Sequence, residues 1–204
     1  MSRDNQGMPT MRLFHIFAIF ILASLTACGA STGGIKAPPK LETANFTPLS
    51  LNARRLEIVE NWQMPMEAPY IGHLQTPYPS NVVSEWAATT LRPAGGSGEI
   101  IFDISRAAIT EIKLPRETGL SSAFTDEQAV KIKAEIHARL MWLQPVGGSQ
   151  AMANLQATYS VTLPESSTAN EFDAAVQEAL LQAVAALDVQ ARKELKAIDN
   201  ILLP

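Results

Sequence analysis

Val130-Lys131-Ile132-Lys133-Ala134-Glu135-Ile136-His137-Ala138-Arg139-Leu140-Met141-Trp142 decides the fold of this chain. Every even position in it is apolar, and nearly every odd one is polar or charged. A strand turns successive side chains to opposite faces, so this period of two marks one buried and one solvated face. The same pattern flanks it on both sides. From Glu99 to Leu114 the even positions Ile100, Phe102, Ile104, Ala108, Ile112 and Leu114 share a face, with Arg106 and Thr110 as exceptions. From Ala151 to Leu163 the odd positions Ala151, Ala153, Leu155, Ala157, Tyr159, Val161 and Leu163 do so. Three such runs in succession predict an antiparallel meander with one face in the core. The register that keeps those faces together sets Asp103 opposite Arg139, Glu111 opposite Lys131, Ile101 opposite Met141, and Met141 opposite Met152.

The elements around the meander follow from breakers and caps. Leu49 to Val59 reads as a first strand that changes phase near Arg54-Arg55, the mark of a bulge. In the segment from Glu60 to Pro79, Pro65, Pro69, Pro77 and Pro79 exclude a regular helix or a central strand. Ser80 or Asn81 can cap a helix through Arg92, which Pro93 and Gly95-Gly96 end. Thr168-Ala169-Asn170-Glu171 is a capping box opening a long helix to about Asp199, with Phe172, Val176, Leu180, Val184, Leu187, Ala191 and Ile198 on its apolar stripe. The expected order is β-α-β-β-β-α. That makes an α+β two-layer sandwich, the meander carrying a short and a long helix on one face.

The N-terminal part is of another kind. Leu13 to Cys28 is apolar and ends in Leu25-Thr26-Ala27-Cys28, whose cysteine is the only one among 204 residues. The run is too short for a spanning helix, which needs about 20 apolar residues. A short apolar core with small residues at its end is the form of a cleaved signal. Its basic flank is weak from Met1, because Asp4 offsets Arg3; a start at Met8 or Met11 is also open, and Met11-Arg12 makes the cleaner one. Leu25–Cys28 resembles the lipobox of bacterial lipoproteins. The resemblance implies removal of residues 1–27, and fatty acyl chains, palmitate among them, on the sulfur and amino group of Cys28. Two or more chains hold a protein stably at a bilayer where one does so marginally. It further implies a tether over 28–47, rich in Gly, Ser, Thr and Pro, and a single periplasmic domain over 48–204. In that family an Asp after the cysteine retains the protein at the inner membrane. Gly29 stands there instead, which favours the periplasmic face of the outer membrane.

The β-α-β-β-β-α order behind a lipobox and a tether looks like the lipopolysaccharide-assembly lipoprotein and the auxiliary lipoproteins of ABC-type lipid transporters. The stretch from Pro69-Tyr70 through Trp86 and Leu91 to Gly98 is similar to an uncharacterised lipoprotein family of alphaproteobacteria, which implies a location and no activity.

The residues give no sign of catalysis, and a hydrolase is the function they support least. The net charge of −4 is mildly acidic and offers nothing to nucleic acid. Beyond the signal the histidines are His73 and His137, without zinc-like spacing to further ligands, so neither a metal nor a cofactor is expected. Gly95-Gly96-Ser97-Gly98 connects a helix to a strand, the reverse of the order that cradles phosphate.

Two features invite a functional reading. Trp62, Met64, Met66, Tyr70, His73 and Tyr78 lie in the proline-rich loop, as a lid over one core edge or as a contact surface. Ile101, Met141, Leu143 and Met152 point away from the core at one end of the meander. Either the loop covers these four, or they stand open as an interaction patch. The functions compatible with this are a non-enzymatic accessory lipoprotein that holds an envelope protein, and a lipid-handling auxiliary subunit of an envelope transport system.

Overall fold

The structure, a computed structural model, describes residues 46–115 and 128–204. The lipobox with Cys28 and the tether up to residue 45 lie outside the described residues. The elements are β1 (Leu49–Leu51), β2 (Arg55–Glu60), a 3₁₀ turn (Gly72–Leu74), α1 (Pro79–Thr90), β3 (Leu91–Pro93), β4 (Glu99–Lys113), β5 (Gln128–Gln144), β6 (Ser149–Pro164) and α2 (Ala169–Lys196). This is an α+β arrangement, with the helices and a four-stranded sheet in the order β2-β4-β5-β6 forming its layers. β1 and β3 form a separate parallel pair.

β4, β5 and β6 form the expected antiparallel meander. β2 joins it parallel to β4, with Arg55 beside Glu99 and Glu60 beside Ile104. A parallel neighbour requires a crossover, and α1 lies within that connection.

The predicted first strand is in fact two. It breaks at Asn52–Arg54, where the Asn52 N–H donates to the Ile201 carbonyl and the Arg54 N–H to Gly98. The phase change near Arg54 is therefore a passage from one sheet to the other rather than a bulge. α1 also starts differently. Neither Ser80 nor Asn81 caps it; Pro79 occupies its first turn, where a missing N–H costs nothing. It ends at Thr90, and β3 stands between it and the glycine run. α2 does open with the Thr168–Glu171 capping box, each residue bonding the other's backbone N–H. Those bonds hold the Glu171 carboxyl below its ordinary pKa, the backbone bond from Thr168 most of all.

A bulge does occur, in β4. Up to Ile104 the β4–β5 pairs follow the predicted register, Asp103 beside Arg139; a shift between Ile104 and Arg106 then displaces the rest by one residue. Glu111 consequently sits beside Ile132 and not Lys131, whose partner is Ile112. Past the bulge Ala107 and Ile109 join the core, while Ile112 turns outward, exposed. Ala108 also moves to the outer face, beside Glu135, although it is buried there. Arg106 and Thr110 are thus no exceptions: they are outer-face residues of a strand that has changed phase.

The core lies between sheet and helices. Ile100, Phe102, Ile104, Leu140, Trp142 and Leu155 from the sheet meet Val83, Trp86, Val176, Leu180, Val184 and Leu187 from the helices. Full burial of one such aliphatic side chain contributes roughly 1.5–3 kcal/mol. Ala179, Ala183 and Ala191 let α2 approach the sheet closely. Trp86 packs on Phe102 at 5.7 Å between centroids, and its indole N–H donates to buried Asp188 (3.1 Å). Asp188 in turn accepts two bonds from Arg192 (2.7 and 3.0 Å), so one carboxylate ties α1 to α2.

Candidate functional site

The apolar end of the outer face is built by strand register. Ile101 is the partner of Met141, Met141 of Met152, and Leu143 of Glu99 and Gln150. These four residues therefore share one face at the end of the sheet that carries the β5–β6 turn, as the sequence predicted. Leu143 is 42% exposed and Met152 57%, whereas Ile101 and Met141 between them are half-buried. A pocket of about 360 Å³ opens beside them, lined by Met141, Leu143, Gln150, Ala151 and Met152.

The ground beneath this end is rigid. Trp142 Nε1 donates to the Asn52 carbonyl (2.8 Å), Gln144 Nε2 to Asn52 Oδ1 (3.3 Å), and Ser97 Oγ to Gln144 Oε1 (2.9 Å). Asn52 Nδ2 reaches the Asn200 carbonyl near the C-terminus (3.0 Å). Two glycines of the Gly95–Gly98 run make this possible. At Gly96, with φ of +82°, an added Cβ would stand 2.3 Å from Asn52 Oδ1, and at Gly98 it would lie 3.0 Å from the Asn52 and Leu143 carbonyls.

The proline-rich loop lies elsewhere. It leaves β2 and continues along the outer edge of β4 beyond the bulge. The Asn61 N–H donates to Ile104, the Ile71 N–H to Ile109, and the Glu111 N–H to Pro69. Tyr70 forms a bridge with Thr110. The Arg106 guanidinium stacks over Trp62 at 5.3 Å, and Trp62 lies 6.4 Å from Tyr70. Met64 packs beside Gly72, near the Ile109 backbone. His73 belongs to the 3₁₀ turn, its Nδ1 buried without a partner, while Met66 and Tyr78 are exposed. The loop is fastened to the second half of β4, and the apolar quartet sits at the first half.

Between loop and quartet the outer face is charged. Glu135 accepts from Arg106 (2.7 Å) and Lys133 (2.5 Å) and contacts His137 Nε2 (3.2 Å). The Lys133 ammonium first, and Arg106 after it, hold the Glu135 carboxyl below its ordinary value despite partial burial. Asp103 and Arg139 are strand partners as predicted, yet the Asp103 carboxylate takes its bond from Asn61 Nδ2 (2.8 Å). Sequence reasoning missed both Asp188 and the Glu135 cluster. A lone acid on a helix and alternating charges on a strand both look solvated until partners from other elements are in place.

Among the described residues no group of three or more His, Cys, Asp or Glu side chains could hold a metal ion, and no helix is long and apolar enough to cross a membrane. No protein-family model and no curated protein matches the chain. Among solved structures it is similar to the rare lipoprotein B from Shewanella oneidensis, with a TM-score of 0.36 and 11% identity over 70% of this chain and 97% of that one. It is also similar to a protein of family-model DUF330 from Xanthomonas campestris, with a TM-score of 0.34 and 14% identity over 74% of this chain and 94% of that one.

Proposed function

We propose that this chain is a lipid-anchored, non-enzymatic accessory protein of the bacterial envelope, held through acylated Cys28 at the periplasmic face of the outer membrane. Its working surface is the apolar end of the outer face. One observation carries this reading: Met152 and Leu143 stand exposed beside half-buried Ile101 and Met141, over a base stiffened by Asn52, Trp142 and Gln144. An apolar cluster on an ordered base is the form of a docking surface for an envelope protein. The 360 Å³ pocket favours a second reading, in which the same surface receives part of a lipid chain.

The anchor is tested by Cys28→Ser in the full chain. The substituted protein is expected in the soluble periplasmic fraction or as an unprocessed precursor, without incorporation of an alkyne fatty acid. Normal labelling would contradict the lipoprotein reading. Mass spectrometry of lipids carried by the purified protein separates the two readings of the surface, because only lipid handling predicts a bound lipid beyond those on Cys28.

A further inference from the structure

β6 is the outermost strand of the four-stranded sheet, and among the described residues no strand pairs with its free side. A free edge offers unpaired N–H and C=O groups to any extended chain, and proteins guard such edges with charge, proline, bulges or brevity. β6 is sixteen residues long, carries no charged residue, and reaches its only proline at its last position. Its single contact of this kind among the described residues comes from α2: the Gln156 N–H donates to Gln190 Oε1. That bond shows which way the ladder points. Gln156 turns its backbone groups away from β5, and in an antiparallel ladder alternate residues do the same, so Gln150, Met152 and Asn154 present theirs to the free side. Gln190 blocks the edge at Gln156. The run from Ser149 to Leu155 remains open, and Met152 is its centre.

We propose that β6 pairs antiparallel with β6 of a second copy across a two-fold axis at Met152. This rests on the reading of the apolar end as a docking surface, and it names the occupant. In that register Met152 faces Met152 of the second copy, Gln150 faces Asn154, and Ala151 faces Ala153. The pairing uses the seven residues from Ser149 to Leu155, between the β5–β6 turn and the Gln190 bond, and it satisfies the outward backbone groups of Gln150, Met152 and Asn154 in both copies. A strand suited to this edge must be uncharged, extended and apolar at its centre on the outer face; the segment itself meets those terms. Self-pairing also brings no like charges together within the paired strands, and it joins Met141, Leu143 and Met152 of both copies into one apolar surface. A shared membrane anchor would raise the effective concentration of the copies.

The test uses the full-length chain in native membranes. At the two-fold axis a hydrogen-bonded pair has its Cα atoms about 5.5 Å apart, within disulfide reach. Met152→Cys treated with a mild oxidant is expected to run mainly as a dimer on a non-reducing gel, while the unsubstituted chain and Thr162→Cys stay monomeric. Light scattering of the detergent-solubilised protein is expected to give the dimer mass for the unsubstituted chain and the monomer mass for Met152→Lys. A monomer mass for the unsubstituted chain, equal cross-linking at Thr162, or a dimer that survives Met152→Lys would each overturn the pairing. A monomeric chain that still captured an envelope protein, and lost it on Met141→Lys, would remove self-pairing and leave the docking surface standing.

Discussion

β2 closes one side of the sheet with six residues, of which Arg55, Glu57 and Glu60 are charged; β6 closes the other with sixteen residues and no charge. The difference extends beyond composition. On the β2 side the chain runs on past the strand and covers the rest of the β4 edge, using Asn61, Pro69 and Ile71 for backbone bonds and Trp62, Tyr70 and Arg106 for packing. On the β6 side, among the described residues, the backbone edge takes a bond from one glutamine, Gln190. Among the described residues the chain itself covers one side, and on the other most of β6 has no strand or loop bonded to its edge. The apolar quartet lies at the first half of β4, away from that cover, and extends across the sheet to β6.

Trp62→Ala tests the finished side and carries the largest expected effect on stability. The indole is half-buried, touches Arg106 and Tyr70, and packs against the core, so its loss should cost about 2 kcal/mol, below the roughly 3–5 typical of a fully buried aromatic. Leu143→Ala on the open end should change stability by no more than about 0.5 kcal/mol. Denaturant melts of both variants measure the contrast. Equal losses would mean that the two ends are built alike.

How far this contrast could be read beforehand depends on what each part requires. The unbroken alternation from Val130 to Trp142 and from Ala151 to Leu163 set both faces and the Met141–Met152 pairing, because a slip of one residue would turn the apolar set to solvent. The β4 bulge is legible too, because Arg106 and Thr110 on the even positions mark a change of phase. The break at Asn52–Arg54 was not, since it depends on Ile201 and Gly98, far away in sequence. The course of the proline-rich loop was equally hidden: its residues suit a lid over either half of β4, and only tertiary partners choose.

The charged band beside Trp62 should give a smaller, pH-dependent effect. Glu135 has its folded pKa below the ordinary 4.5, chiefly through Lys133 and then Arg106. Its contribution is therefore complete above that value and is lost as pH falls through the folded pKa. Glu135→Gln should lower stability near neutral pH and reduce the loss between neutral pH and pH 3. Urea melts at the two pH values read the sign. An unchanged acid loss would show that the cluster is not coupled to folding.

Met141→Lys tests the central claim most directly. Met141 joins Ile101 on one side to Met152 on the other, at the middle of the apolar end. The measurement pairs the melting temperature of the detergent-solubilised full chain, in dilute solution, with recovery of the proposed partner from envelope extract. An open docking surface predicts a nearly unchanged melting temperature and loss of the partner. A charge forced beneath a cover would instead lower stability by several kcal/mol. That result, or full recovery of the partner by a variant that melts normally, would contradict the account.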